Sequence, residues 1–152
     1  MTKSNSNLFK LLIVAVGVLS LAVAFLPAIV YGSSDVIYNG FEVALGTTFI
    51  DLGIFGSGQI EPNFLIMLAY LLPIIAGLLA IFANKGAAIS IFLFIGATIL
   101  LFLITELTVT TINNTAIDVE WTMAYGLYLS IGLSIFGAFL SVFLVTADAS
   151  KK

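Results

Sequence analysis

Four stretches of the chain, at about 11–31, 64–83, 87–105 and 123–145, are continuously apolar and hold no acidic or basic residue. A helix rises about 1.5 Å per residue, so roughly 20 such residues cross a hydrocarbon core of about 30 Å. Strands of a membrane barrel would alternate lipid-facing with lumen-facing polar positions, and none of the four stretches does. The pattern predicts four membrane-spanning helices. Between the first two lies a long segment at about 32–63, and between the last two a shorter one at about 106–122. The middle pair is joined only by Asn84-Lys85-Gly86, a connection that suits an antiparallel helical hairpin.

The two longer connections read as strands. Val36-Ile37-Tyr38 and Phe41–Leu45 flank Asn39-Gly40, and Asn-Gly between β-formers is a strong two-residue hairpin signal. Thr48–Leu52 is expected to add a third strand. In the second connection Leu107, Val109 and Thr111 alternate toward Asn113-Asn114, and Ile117, Val119 and Trp121 alternate on the way back. Period-two alternation predicts strands with one covered face. A lone two-stranded hairpin is marginal, so strands of both loops are expected to combine in one small sheet. The predicted fold is therefore an all-α membrane protein, a single four-span domain with a small β-sheet built by its two outer loops.

Lysine placement sets the direction. Lys3 and Lys10 precede the first span, Lys85 lies between the second and third, and Lys151 and Lys152 follow the fourth. All five fall on one side of a four-span chain, which the positive-inside tendency makes cytoplasmic, with both termini inside at the cell membrane. Asp35, Glu42, Asp51, Glu61, Glu106, Asp118 and Glu120 fall in the two opposite loops. A signal peptide is the alternative for the first span, with Ala22-Val23-Ala24 as its cleavage site. The apolar run continues through Ala28, Ile29 and Val30, so retention is expected. Tyr31, Trp121, Tyr125 and Tyr128 cluster at the outer ends of spans one and four and are expected to anchor in the headgroup zone.

Small residues suggest how the helices meet. Gly126, Ser130, Ser134 and Ala138 recur every fourth position on span four, with Gly137 beside them. Ser20, Ala24 and Ala28 form a shorter ridge on span one. Such ridges let membrane helices approach closely, either within one bundle or between two copies. Pro73 and Pro27 are expected to kink spans two and one.

Composition narrows the chemistry. The chain is 61% hydrophobic and 9% charged, and it has no cysteine, histidine or arginine. Soluble domains carry about a quarter charged residues, so lipid is the expected solvent. There is no imidazole or thiolate for a catalytic centre or an ordinary zinc set, and no basic groove for a nucleic acid. No cofactor is expected. No Asp, Glu, His, Lys or Arg lies inside a span, which disfavours a proton- or ion-coupled transporter. Asn113-Asn114-Thr115 formally matches a glycosylation acceptor and is read as turn chemistry.

Four spans, inside termini and a long β-bearing first outer loop resemble the claudin-like tetraspan architecture. The resemblance is one of topology. The claudin signature of Trp, Gly-Leu-Trp and paired Cys is missing from the first loop here, so no claudin functional residue carries over. Tyr38-Asn39-Gly40-Phe41 and Tyr125-Gly126-Leu127-Tyr128-Leu129-Ser130 resemble segments of uncharacterised four-span proteins of low-GC bacteria. What the architecture implies is lateral assembly and contact through the outer sheet. With no catalytic set in the chain, the expectation is a non-enzymatic structural or interaction protein that associates laterally in the membrane as a homo-oligomer, its partners the lipid bilayer and itself or another membrane protein. The alternatives are an accessory subunit of a transport or secretion complex, and an immunity-type protein acting at the outer face.

Overall fold

The computed structural model describes residues 3–32, 36–51, 53, 56–82 and 85–149. Asp35, Leu52, Ala83, Asn84, Lys151 and Lys152, which entered the sequence reading, lie outside the described residues. Helix α1 spans Lys3–Val23, α3 Phe64–Phe82, α4 Gly86–Phe102 and α6 Tyr125–Ala149. Two short helices, α2 (Gly40–Leu45) and α5 (Ile104–Leu107), join seven strands. The strands are β1 (Pro27–Tyr31), β2 (Ile37–Asn39), β3 (Thr47–Asp51), β4 (Ser57–Ile60), β5 (Thr110–Ile112), β6 (Thr115–Ile117) and β7 (Trp121–Met123).

Three helices carry a segment long and apolar enough to cross a membrane: Ser6–Val23, Phe64–Phe82 and Tyr125–Ala147. The 17 residues of α4 are as apolar but shorter. α1 packs against α3 and α6, and α4 packs against the same two. Their outward faces carry Phe92, Phe102, Phe139 and Phe143, all more than half exposed. An exposed apolar surface that wide suits hydrocarbon rather than water.

The interior forms two clusters. One, around Ile13, Val16, Ala76, Phe94, Leu140 and Leu144, lies between the helices at the end where Lys85 sits. The other joins the opposite helix ends to the strands through Ile29, Tyr38, Val43, Ile60, Tyr70, Trp121 and Leu127. The strands thus form a cap that shares a core with the helices.

The first apolar run does not stay helical to Tyr31. α1 ends at Val23, a turn follows in which Leu26 N–H donates to Val23 O at 2.9 Å, and Pro27 opens β1. Proline disfavours a helical residue before it and lacks an N–H, so it suits the first position of a strand. Hydropathy cannot see this boundary, because both sides of it are apolar. Pro27 therefore kinks nothing, and Ser20, Ala24 and Ala28 form no helical ridge: they lie in α1, in the turn and on β1. Pro73 is inside α3 and buried, as its place in a packed helix requires.

The expected single sheet is two. One has the order β2-β1-β7 and the other β3-β4-β5-β6, with antiparallel pairing throughout. Each takes strands from both connecting segments. Ile117 and Trp121, read as one returning strand, fall in different sheets, with Asp118–Glu120 crossing between them. Leu107 belongs to α5 rather than a strand.

Asn39-Gly40 is not a hairpin turn, and Phe41–Leu45 is not a strand. Asn39 caps α2: its Oδ1 accepts from Glu42 N–H at 2.9 Å, and Glu42 Oε2 accepts from Asn39 N–H at 2.8 Å. This is the reciprocal capping box, in which two orphan helix-end donors are satisfied together. Gly40 is small for a different reason. A Cβ there would collide with the ring and hydroxyl of Tyr70 on α3.

Candidate functional site

The cap is held by side chains from distant parts of the chain. Asn63, one residue before α3, donates from Nδ2 to Leu107 O at 2.8 Å and accepts at Oδ1 from Leu65 N–H at 2.9 Å. Its own N–H donates to Ala44 O at 3.0 Å. Asn63 thereby ties α2 through its backbone, and the start of α3 and the end of α5 through its side-chain amide. Thr111 donates to Glu61 Oε1 at 2.7 Å across β5 and the end of β4. Asn63 does not stand out in the sequence, because an isolated polar residue in a loop carries no periodic signal, and Thr111 and Glu61 read there only as a strand position and a loop carboxylate.

Trp121 sits between the sheets. Its ring meets those of Tyr31 and Tyr38 at 5.8 Å and that of Phe49 at 6.4 Å, all edge-on. Edge-to-face aromatic pairs at these distances contribute about 0.5–1.5 kcal/mol each beyond their burial. Trp121 is only 8% exposed, and its indole Nε1 has no hydrogen-bond partner. It pins the two sheets together and is not the exposed headgroup anchor expected from its position. Tyr31, Tyr125 and Tyr128 do remain exposed. Burial, and then the nearby Glu42 carboxylate, push the Tyr38 phenol above its ordinary pKa.

Beside Trp121 opens a cleft of about 690 Å³. Its walls come from the end of α5, from β5 and β6, from the 118–120 crossing and from β7. Glu106, Asp118 and Glu120 supply carboxylates, while Val109, Ile117 and Val119 supply apolar surface between them. Among the described residues no three carboxylates converge closely enough to hold a metal ion. The charges are spread along the cleft instead. A second hollow of about 540 Å³ lies at the far tip of the four-stranded sheet, lined by Asp51, Ser57, Asn113 and Asn114. Asn113 and Asn114 take φ values of 50° and 62° and close the β5–β6 hairpin.

The small-residue ridge of α6 faces the chain's own interior. A Cβ on Gly126 would strike Pro27 O and Leu26, and one on Gly137 would strike the Phe94 ring. Ser130 and Ser134 are buried; Ser130 Oγ donates to Gly126 O at 3.0 Å, while Ser134 Oγ has no partner. Ala138 alone is half-exposed, on a shallow groove between α4 and α6. Ser20 is buried and donates to Val16 O at 2.9 Å, and Ala24 and Ala28 are buried against the cap. The sequence-derived candidates thus divide between helix packing, the Trp121 cluster, the exposed Tyr125 and Tyr128, the α2 cap at Asn39-Gly40 and the Asn113-Asn114 turn. None of them but Trp121 lines the acidic cleft.

Compared with known proteins, the chain matches no family model, no curated protein and no solved structure.

Proposed function

We propose that this chain is a four-span membrane protein that acts by contact rather than catalysis, with the cap outside the cell and both termini in the cytoplasm. The observation that carries the reading is the segregation of charge along the helices. Lys85 lies between α3 and α4, at the end away from the cap, and Lys10 lies in α1 on the same side. Apart from Asp148, near the end of α6, the described carboxylates lie in the cap, and exposed Phe and Leu side chains fill the belt between. Basic residues favour the cytoplasmic side, and this tendency supports an outward cap. α4 reaches a full span with α5, which follows it after Leu103 and keeps the helical bond from Leu107 N–H to Leu103 O at 2.9 Å.

The cap suits a contact role because both connecting segments build each sheet, so its surface is held rather than draped. Lateral association with a second copy or another membrane protein uses the bulky outward faces of the helices, since the α6 ridge is consumed inside the chain. Topology is tested with single cysteines, which the natural chain lacks. Thr115→Cys is expected to react with a membrane-impermeant maleimide on intact cells, and Lys85→Cys only after permeabilisation. The reverse labelling would overturn the reading. Native mass spectrometry from nanodiscs then separates multiples of the chain's own mass from a foreign chain at fixed ratio.

A further inference from the structure

The cleft beside Trp121 is bordered by two free sheet edges. β6 is the last strand of the four-stranded sheet and β7 the last of the three-stranded one. In an antiparallel pair, residues alternate between exchanging both hydrogen bonds and exchanging none, and the second kind turn their N–H and C=O outward. The two-residue turn at Asn113-Asn114 makes Ile112 and Thr115 a bonded pair, so Thr111 and Ala116 are an unbonded one. The backbone N–H and C=O of Ala116 therefore point away from β5. On β7 the bonds from Gly32 N–H to Glu120 O and from Ala124 N–H to Ala28 O fix the bonded positions. They leave Tyr31 and Trp121 as an unbonded pair, with Trp121's backbone groups turned away from β1. Ala116 and Trp121 both line the cleft.

Two edge strands that are unpaired among the described residues and three spaced carboxylates thus meet at a cleft that the buried Trp121 also lines. We propose that the cleft binds an extended, lysine-bearing peptide segment, which adds as a strand to the β6 edge at Ala116 and sets its ammonium groups against Asp118, Glu120 and Glu106. An exposed edge recruits an extended chain through main-chain bonds, while side-chain pockets supply selectivity. Lysine fits because its apolar stem can lie on Ile117 and Val119 while its head reaches a carboxylate. A single metal ion fits poorly, since the carboxylates do not converge. Between Val36 and Met123 the only lysine is Lys85, at the far end of the helices, so the cap's field has no cation of its own to oppose it. This inference rests on the contact role proposed above and names its ligand chemistry.

The test is titration of the intact protein in nanodiscs with tri-lysine, by calorimetry and by the emission of Trp121, the sole tryptophan. Saturable binding is expected, and Ala116→Pro is expected to raise Kd at least tenfold. Proline removes the outward N–H yet is tolerated on an edge strand, and unchanged near-UV circular dichroism would show the cap intact. Asp118→Asn with Glu120→Gln is expected to weaken binding by a similar factor, while Asp51→Asn, outside the cleft, changes it less than twofold. Absence of saturable binding, or wild-type affinity in Ala116→Pro, overturns the proposal. So does equal weakening by Asp51→Asn, or spermidine binding as tightly as tri-lysine, since charge alone would then suffice. Cysteine labelling and native mass spectrometry on the same preparation are independent of these outcomes, so the contact role can stand if the peptide site falls.

Discussion

At the scale of single residues, two positions show the same letters serving different physics. Asn-Gly promises a tight turn when both residues can take positive φ. Here Asn39 sits at φ −81° and caps a helix, and Gly40 makes room for Tyr70. Gly40→Ala improves intrinsic helix propensity by up to about 1 kcal/mol. It is nevertheless expected to destabilise the fold by about 1–3 kcal/mol, because overpacking against a buried ring forces a shift. Asn39→Ala is expected to cost about 1 kcal/mol through the lost cap. Denaturant unfolding in mild detergent measures both. Tyr38 gives a pH signature. Its folded pKa lies above the unfolded value, near 10, so the folded state holds the proton longer. Its contribution is fully present below about pH 10 and is lost as pH rises through the folded pKa. Stability is expected to fall on the alkaline side of pH 10, and Tyr38→Phe to flatten that slope.

At the scale of elements, long apolar segments were legible and their ends were not. α3, α4 and α6 lie largely within predicted spans, and α1 overlaps its span over 11–23, because continuous apolarity decides what lipid accepts. The stop of α1 at Val23 depends on Pro27 turning one apolar run into two elements, which hydropathy averages away. The strands were legible as a class from alternation in both connections. Their partition into two sheets was not, since pairing between distant segments leaves no local mark. The acidic cleft shares that fate: Asp118 and Glu120 are visible as loop carboxylates, but the sheet edges beside them exist only after folding. The small residues of α6 were legible as a packing surface, and the structure assigns them to contacts within the chain. Gly137→Leu is accordingly expected to lower stability by at least 2 kcal/mol through its collision with Phe94. Native mass spectrometry of whatever remains folded should show the wild-type oligomeric state. A variant as stable as wild type but altered in assembly would return the ridge to an intermolecular role.

At the scale of the molecule, cap and helices are continuous rather than hinged. β1 begins four residues after α1 ends, and β7 runs through Ala124 into α6. The two strands lie paired, Ile29 opposite Met123 and Val30 opposite Thr122, and Ala124 N–H bonds Ala28 O at 2.8 Å. Helices answer a thinner or thicker bilayer by changing tilt. A change in the angle between α1 and α6 is therefore a shear of β1 along β7, the strand whose other edge borders the cleft. The cap would then act as a strain gauge for the bilayer beneath it. Amide hydrogen exchange at Val30, Thr122 and Ala124, compared between short-chain and long-chain lipid nanodiscs, reads that strain directly. Faster exchange at the β1–β7 seam under mismatch, with the β4–β5 seam unchanged, is the expected pattern.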